Sequence, residues 1–130
     1  MQDPNVPRPR SHTLLVVEDD EPIMELICRV AIDSGWIVLK AYCGEVALRV
    51  FVSHRVDALL TDVDLGAGMP GTTLARAVSM RVTGLPIVFT TAHAGWDLPG
   101  DFGSPQLLLR KPFSLAGLHV ALQWLRSSCR

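Results

Sequence analysis

The chain has 130 residues, of which 48% are hydrophobic and 19% charged, and its formal net charge is -1. This length corresponds to a single domain with one main core, and the composition is that of a folded chain and not of a disordered one. The near-neutral charge and the scattered basic residues argue against direct binding to nucleic acid or to an anionic membrane surface.

The N-terminal residues 1–11 are predicted to form a flexible tail. They contain three prolines, Pro4, Pro7 and Pro9, which disfavour both helix and sheet. The folded domain is therefore predicted to span residues 12–130.

The first strand and helix follow this tail. Residues 13–17 are a continuous apolar run rich in β-branched side chains, typical of a strand buried on both faces. Pro22 is compatible only with the first turn of a helix, and Asp20 or Glu21 is suited to cap it. Gly35 is expected to end this helix, after Ser34.

Strands and helices then alternate along the rest of the chain. Further strands are predicted at residues 36–40, 58–61, 86–90 and 106–109. Further helices are predicted over residues 45–54 and from Thr72 or Thr73 to Gly84. A last helix is predicted from the capping residue Ser114 onward, and its buried face is expected to carry Leu115, Leu118, Leu122 and Leu125. Residues 92–105 hold three glycines and two prolines, so any helix there is short. Uniformly apolar strands alternating with helices predict an α/β fold, a five-stranded parallel sheet with helices on both faces (doubly wound, flavodoxin-like).

Polar side chains follow the predicted strands at the edge of the sheet where ligands bind in folds of this type. They are Glu18 and Asp19 after the first strand, Asp62 and Asp64 after the third, Thr91 and Ala92 after the fourth, and Lys111 after the fifth. Crowded carboxylates raise one another's pKa unless cations lie among them, and a divalent metal together with Lys111 would supply those cations.

This set of side chains suits phosphoryl transfer, which needs alignment and charge neutralisation more than covalent chemistry. Asp62 would attack as a carboxylate nucleophile and form an acyl phosphate. Mg²⁺, which prefers oxygen ligands, would share the phosphoryl oxygens with Lys111 and the Thr91 hydroxyl. Taken singly, each residue has an ordinary explanation, since an Asp at a strand end is most often part of a turn.

The motifs together resemble those of the receiver domain of two-component response regulators. They are Val17-Glu18-Asp19-Asp20-Glu21, Leu60-Thr61-Asp62, Thr90-Thr91-Ala92 and Lys111-Pro112-Phe113, in the family's order. The resemblance extends over residues 13–125.

The resemblance implies a role for each of these residues. Asp62 would be the phosphoacceptor, and Glu18 and Asp19 would form the acidic pocket. Mg²⁺ would be held by Asp19, Asp62 and the backbone carbonyl of Asp64. Thr91, Ala92 and Lys111 would bind the phosphoryl group, Thr91 by moving toward it, and the bond before Pro112 would be cis. The donor would be a phosphohistidine on a sensor histidine kinase or on a phosphotransfer protein.

The chain departs from the family pattern at three places. Gly66 stands where the family commonly has proline and Gly71 falls one residue late; Leu108 replaces a usual aromatic residue; and the segment before Lys111 is slightly short. The loop and the short segment resemble a minority type of receiver with a degenerate fourth helix.

We expect a single-domain response regulator that signals by contact with an unidentified downstream protein or by phosphorelay, because the chain ends soon after its last helix. Such a module would have only self-phosphorylation and autodephosphorylation activity. One alternative is a degenerate receiver that acts without phosphorylation. Another, less favoured, is a haloacid-dehalogenase-like phosphatase, suggested by Asp62-Val63-Asp64.

The three cysteines, Cys28, Cys43 and Cys129, form no CxxC pair, so neither a disulfide framework nor a zinc site is predicted. No apolar run approaches the roughly 20 residues that cross a bilayer. Reduced thiols and the absence of an export signal favour the cytoplasm, with no membrane partner.

Overall fold

The computed structural model describes residues 11–129, which form an α/β fold around one parallel sheet. The strands are β1 (Thr13–Val17), β2 (Ile37–Ala41), β3 (Ala58–Asp62), β4 (Ile87–Thr91) and β5 (Gln106–Arg110), in the order β2-β1-β3-β4-β5. The helices are α1 (Glu21–Asp33), α2 (Gly44–Ser53), α3 (Gly71–Arg81) and α4 (Leu115–Ser128). The predicted architecture is confirmed, whereas residues 1–10 of the predicted tail lie outside the described residues.

Each face of the sheet carries its own hydrophobic core. Leu14 and Val16 of β1 pack with α1 and α4, while Leu15 and Val17 pack with α2 and α3. All four side chains are fully buried. Burial on both faces explains why β1 shows no alternation of polar and apolar residues.

Asp20 and Gly35 mark the two ends of α1. The Asp20 carboxylate accepts a hydrogen bond from the Ile23 N–H at 3.1 Å, which identifies Asp20 as the cap and Glu21 as the first helical residue. After α1, Gly35 adopts a positive φ of 96°, as the predicted helix end requires.

The start of α3 differs from the prediction. The helix begins at Gly71 after Pro70 and has no side-chain cap, so the predicted cap at Thr72 or Thr73 is wrong. The helix starts earlier because Gly71 approaches the end of β3, as described below.

The last helix follows its prediction except at its first residue. Ser114 caps α4 by accepting a hydrogen bond from the Gly117 N–H at 3.0 Å, and Leu118, Leu122 and Leu125 are buried. Leu115, predicted on the buried face, is exposed because side chains in the first turn project toward the N-terminal end of the helix. Among residues 11–129, no helix is long and apolar enough to cross a membrane.

The segment between β4 and β5 contains no helix, consistent with the predicted degenerate fourth helix. Two aromatic side chains cover this part of the sheet instead. Trp96 lies against Phe89, with the two ring centroids 5.4 Å apart. The Phe102 ring lies beneath the Arg76 guanidinium, and its centroid is 5.0 Å from Arg76 Cζ. Both pack against the core on the α2 and α3 face, so aromatic side chains replace a helix there.

Candidate functional site

The strand ends bring Glu18, Asp62 and Lys111 together at the carboxyl edge of the sheet. β1 and β3 pair in parallel with Val17 opposite Thr61, so the next residues, Glu18 and Asp62, are neighbours. Lys111 continues the pairing of β5 with β4, since its N–H donates to the Thr91 carbonyl at 2.8 Å.

The three side chains form a nearly dry ionic cluster. The Lys111 Nζ donates to Glu18 Oε1 at 2.7 Å and to Asp62 Oδ2 at 2.8 Å. The side chains of Lys111, Glu18 and Asp62 are only 15%, 1% and 8% exposed, respectively. Charge-assisted hydrogen bonds are strong in such surroundings, so the ammonium group holds the two carboxylates in one arrangement.

The cluster perturbs the pKa of both an acid and a base. Burial raises the pKa of Glu18 to about 7, against the opposing effect of its hydrogen bond from Lys111. Burial alone would lower the pKa of Lys111, but its hydrogen bonds to Asp62 and Glu18 outweigh burial and raise it. Lys111 therefore stays a cation at neutral pH, and Glu18 is close to its midpoint.

The acidic residues at this edge can hold a cation. Carboxylate oxygens of Glu18, Asp19 and Asp62 lie within 4.8 Å of one another. Asp19 is exposed to solvent, whereas the other two residues are buried. A compact, all-oxygen donor set open to water on one side fits Mg²⁺, which retains several of its own waters.

Asp64 takes part through its backbone and not through its carboxylate. Its N–H donates to Asp62 Oδ1 at 3.0 Å. Its side chain is 67% exposed, and its Oδ2 lies 3.6 Å from His93 Nε2. The Asp62 carboxylate is thus engaged at both oxygens, by Asp64 at Oδ1 and by Lys111 at Oδ2.

Thr91 and Ala92 lie at the end of β4 on the same edge. The Thr91 hydroxyl is buried and accepts a hydrogen bond from the His93 N–H at 3.1 Å. Ala92 is exposed next to it. Thr91 therefore lies at the edge of the sheet that carries the site, and its hydroxyl, which accepts from the following loop, can still donate its own proton.

Gly71 permits the close packing that places Asp62, a role the sequence interpretation missed. A Cβ at Gly71 would lie 2.0 Å from the Asp62 carbonyl oxygen. The Gly71 N–H also donates to the Val63 carbonyl at 3.0 Å, which joins the start of α3 to the end of β3. The available signal was the Pro70-Gly71 pair before the helix, since glycine marks sites where two backbones meet closely.

Arg110 anchors the loop that follows Thr91, and this role was also missed. Its Nη1 donates to the His93 carbonyl and its Nη2 to the Trp96 carbonyl, both at 2.8 Å. Asp97 lies 3.7 Å from the same guanidinium. No sequence pattern could identify this contact, because it depends on the path of an irregular loop.

An apolar groove of about 490 Å³ opens beside Lys111. It lies between α1 and the turn after β5, and its lining includes Ile23, Leu26, Pro112 and Phe113. The Lys111-Pro112 bond in this turn is cis, as the resemblance implied.

Comparisons with known proteins agree on one family. The family model of the response regulator receiver domain matches residues 14–123. Response regulator MprA of Mycobacterium ulcerans is 33% identical over 112 residues, which are 81% of this chain and 46% of that protein. Transcriptional regulatory protein GlrR of Escherichia coli is 30% identical over 113 residues, which are 84% of this chain and 25% of that protein.

Solved structures show the same fold. A response regulator receiver protein from Sinorhizobium medicae has a TM-score of 0.80 at 26% identity, covering 90% of this chain and 95% of that one. Chemotaxis response regulator CheY4 of Vibrio cholerae has a TM-score of 0.74 at 25% identity, covering 89% and 99%. The chain thus spans nearly all of these receiver structures, but only a quarter to a half of the curated relatives GlrR and MprA.

Proposed function

This chain belongs to the response regulator receiver domain family, and from that membership we propose that it accepts a phosphoryl group on Asp62. The donor is a phosphohistidine of a sensor histidine kinase or of a phosphotransfer protein. The phosphorylated chain then signals through contact with another protein or passes the phosphoryl group on. It acts in the cytoplasm as a switching module, with no chemistry on a separate substrate.

The ionic cluster of Glu18, Asp62 and Lys111 is the observation that carries this proposal. A carboxylate nucleophile must approach an anionic phosphoryl group, and the repulsion between them is the main obstacle. Lys111, held 2.8 Å from Asp62 Oδ2, supplies a permanent positive charge beside the attacking carboxylate. An ordinary surface lysine would not be drawn into a nearly dry acidic pocket.

The step itself exchanges one bond for another. A lone pair on an Asp62 carboxylate oxygen forms an O–P bond, and the N–P bond of the phosphohistidine breaks with its electron pair returning to the imidazole nitrogen. The product is an acyl phosphate on Asp62 and a free histidine on the donor. The Lys111 ammonium and the Thr91 hydroxyl then bind phosphoryl oxygens beside Ala92.

Mg²⁺ is the cofactor that fits the acidic residues. Glu18, Asp19 and Asp62, whose carboxylate oxygens lie within 4.8 Å of one another, would hold it together with the backbone carbonyl of Asp64. When bound, it supplies positive charge for the phosphoryl oxygens. Because Lys111, which binds Asp62, also lines the apolar groove at Ile23 and Phe113, a donor helix that covers the groove would bring its histidine to the acceptor.

Intact-mass measurement tests the proposal directly. Incubation with Mg²⁺ and a small acyl-phosphate donor should add one phosphoryl group to the wild-type chain. Asp62→Asn should add none and should stay folded, because the amide is nearly isosteric but is not a nucleophile. Asp33→Asn, at an exposed position at the end of α1, serves as the matched control and should behave as wild type.

The other outcomes point elsewhere. Equal uptake by Asp62→Asn would place the acceptor at another residue. No uptake by the folded wild type, even from a histidine kinase, would favour a receiver that acts without phosphorylation. Steady turnover of a small phosphate ester would favour the phosphatase interpretation.

A further inference from the structure

Thr90 is the feature of the site that the proposed function leaves unexplained. Its Oγ1 is the one buried side-chain nitrogen or oxygen without a hydrogen-bond partner in the part of the chain that the structure describes. The residue is fully buried, so water at the surface does not satisfy the hydroxyl. A desolvated hydroxyl without a partner destabilises the state in which it occurs.

The register of the sheet places Thr90 directly beside the phosphoacceptor. Thr90 of β4 is the Cα partner of Asp62 of β3. Alternate residues of a strand share a face, and Val88 and Leu60 both belong to the core beneath α1 and α4. Thr90 and Asp62 therefore point to that same face, on strands only about 4.8 Å apart.

Lys111 crosses over Thr90 to reach its two carboxylates. It follows β5, whereas Asp62 and Glu18 follow β3 and β1, and β4 lies between them in the sheet. Leu109, two residues before Lys111, belongs to the same core as Val88, so the lysine projects on the face that carries Thr90. Lys111 therefore spans β4 on the face of the sheet that carries the fully buried Thr90.

In the resting site, stronger donors already occupy both oxygens of Asp62. The Asp64 N–H binds Oδ1 and the Lys111 ammonium binds Oδ2, and the Thr90 hydroxyl donates to neither oxygen. Transfer of a phosphoryl group changes this balance. When the new O–P bond forms at Oδ1, the Lys111 ammonium moves toward the phosphoryl oxygens, and Oδ2 becomes a carbonyl acceptor that lacks its former donor.

We propose that Thr90 is a positioning residue whose hydroxyl donates to this Asp62 oxygen when the aspartate is phosphorylated. The inference rests on the proposed function. The unpartnered hydroxyl destabilises the unphosphorylated state, and the new hydrogen bond stabilises the phosphorylated state. Thr90 thereby shifts the switch toward its phosphorylated form without touching the phosphoryl group.

Two substitutions separate the hydroxyl from the shape of the side chain. Thr90→Val keeps the shape and removes the hydroxyl, whereas Thr90→Ser keeps the hydroxyl and removes a methyl group. In metal-free protein without a phosphoryl donor, urea unfolding should show Thr90→Val at least as stable as wild type. A clear loss of stability in Thr90→Val would mean that a buried water already satisfies the hydroxyl, and this would overturn the proposal.

The second measurement is the affinity for beryllofluoride, a stable mimic of a phosphoryl group on a carboxylate, in the presence of Mg²⁺. Thr90→Val should bind it about fivefold more weakly than wild type, the effect of one ordinary hydrogen bond, and Thr90→Ser should restore most of the affinity. Equal affinity in Thr90→Val and wild type would refute the proposal. A wild-type chain that binds no beryllofluoride and takes up no phosphoryl group would instead refute the function on which it rests.

Discussion

Replacing Gly71 by alanine tests how the fold places the phosphoacceptor. The new Cβ would lie 2.0 Å from the Asp62 carbonyl oxygen, whereas such contacts stay above 3.0 Å. The clash is with backbone, so the start of α3 must move away from β3. That movement strains the hydrogen bond from the Gly71 N–H to the Val63 carbonyl, now 3.0 Å long.

The expected cost follows from these contacts. Overpacking of this kind costs about 1–3 kcal/mol, and loss of the hydrogen bond about 1 kcal/mol more. Alanine recovers up to about 1 kcal/mol through its higher helix propensity. We therefore expect a net loss of about 1–3 kcal/mol in the free energy of unfolding of Gly71→Ala, a large share of the 5–15 kcal/mol typical of a domain.

Urea unfolding followed by tryptophan fluorescence measures this loss. Gly95→Ala is the matched control, because a Cβ there meets no heavy atom within 4 Å, and its stability should change by less than about 0.5 kcal/mol. Phosphoryl uptake under native conditions should also fall in Gly71→Ala, since the shift displaces the Asp62 backbone. If Gly71→Ala and Gly95→Ala unfold at the same urea concentration, the close approach at Gly71 is not what holds β3 and α3 together.

Two further predictions concern the electrostatics and the loop. Since burial raises the pKa of Glu18 to about 7 in the metal-free site, and a bound cation favours the carboxylate over the acid, Mg²⁺ binding should release a proton. The affinity of the chain for Mg²⁺, measured by calorimetry, should rise with pH up to about 7 and stay constant above that. If a Glu18→Gln variant shows the same dependence of Mg²⁺ affinity on pH, Glu18 is not the group that loses the proton. In the Arg110→Lys variant, the lysine lacks the planar guanidinium that binds the His93 and Trp96 carbonyls together. Hydrogen-exchange mass spectrometry should therefore show the amides of this loop exchanging about fivefold faster than in the wild type. Arg49→Lys, on the exposed face of α2, controls for the substitution, and loop protection unchanged in both variants would show that the guanidinium does not anchor the loop.

Most of the fold followed from local patterns in the sequence. Leu14, Leu15, Val16 and Val17 are all buried, and such uniform runs between helical segments specify a parallel sheet with few alternatives. The cap at Asp20 and the helix end at Gly35 were predictable because each depends on only a few neighbouring residues. Thr72 and Thr73 failed as caps because a contact with a distant strand, and not the local sequence, decides where α3 begins.

The candidate site was predictable for a different reason. In a parallel sheet all strands end at the same edge, so the residues that follow them meet whatever the intervening loops do. That rule places Glu18, Asp62 and Lys111 at one edge of the sheet, and the structure shows that the lysine contacts both carboxylates, at 2.7 and 2.8 Å.

The sequence by itself therefore determined the sheet, the edge at which chemistry can occur and the identities of the charged groups there. Only the tertiary structure decided which of these groups touch, where Gly71 lets two backbones meet, how Arg110 holds the irregular loop, and that Thr90 is buried without a partner. The physical reason is the distance along the chain over which each interaction acts. Periodicity and capping act over a few residues, whereas these contacts join strands and loops that are far apart in the chain and exist only once the sheet has formed.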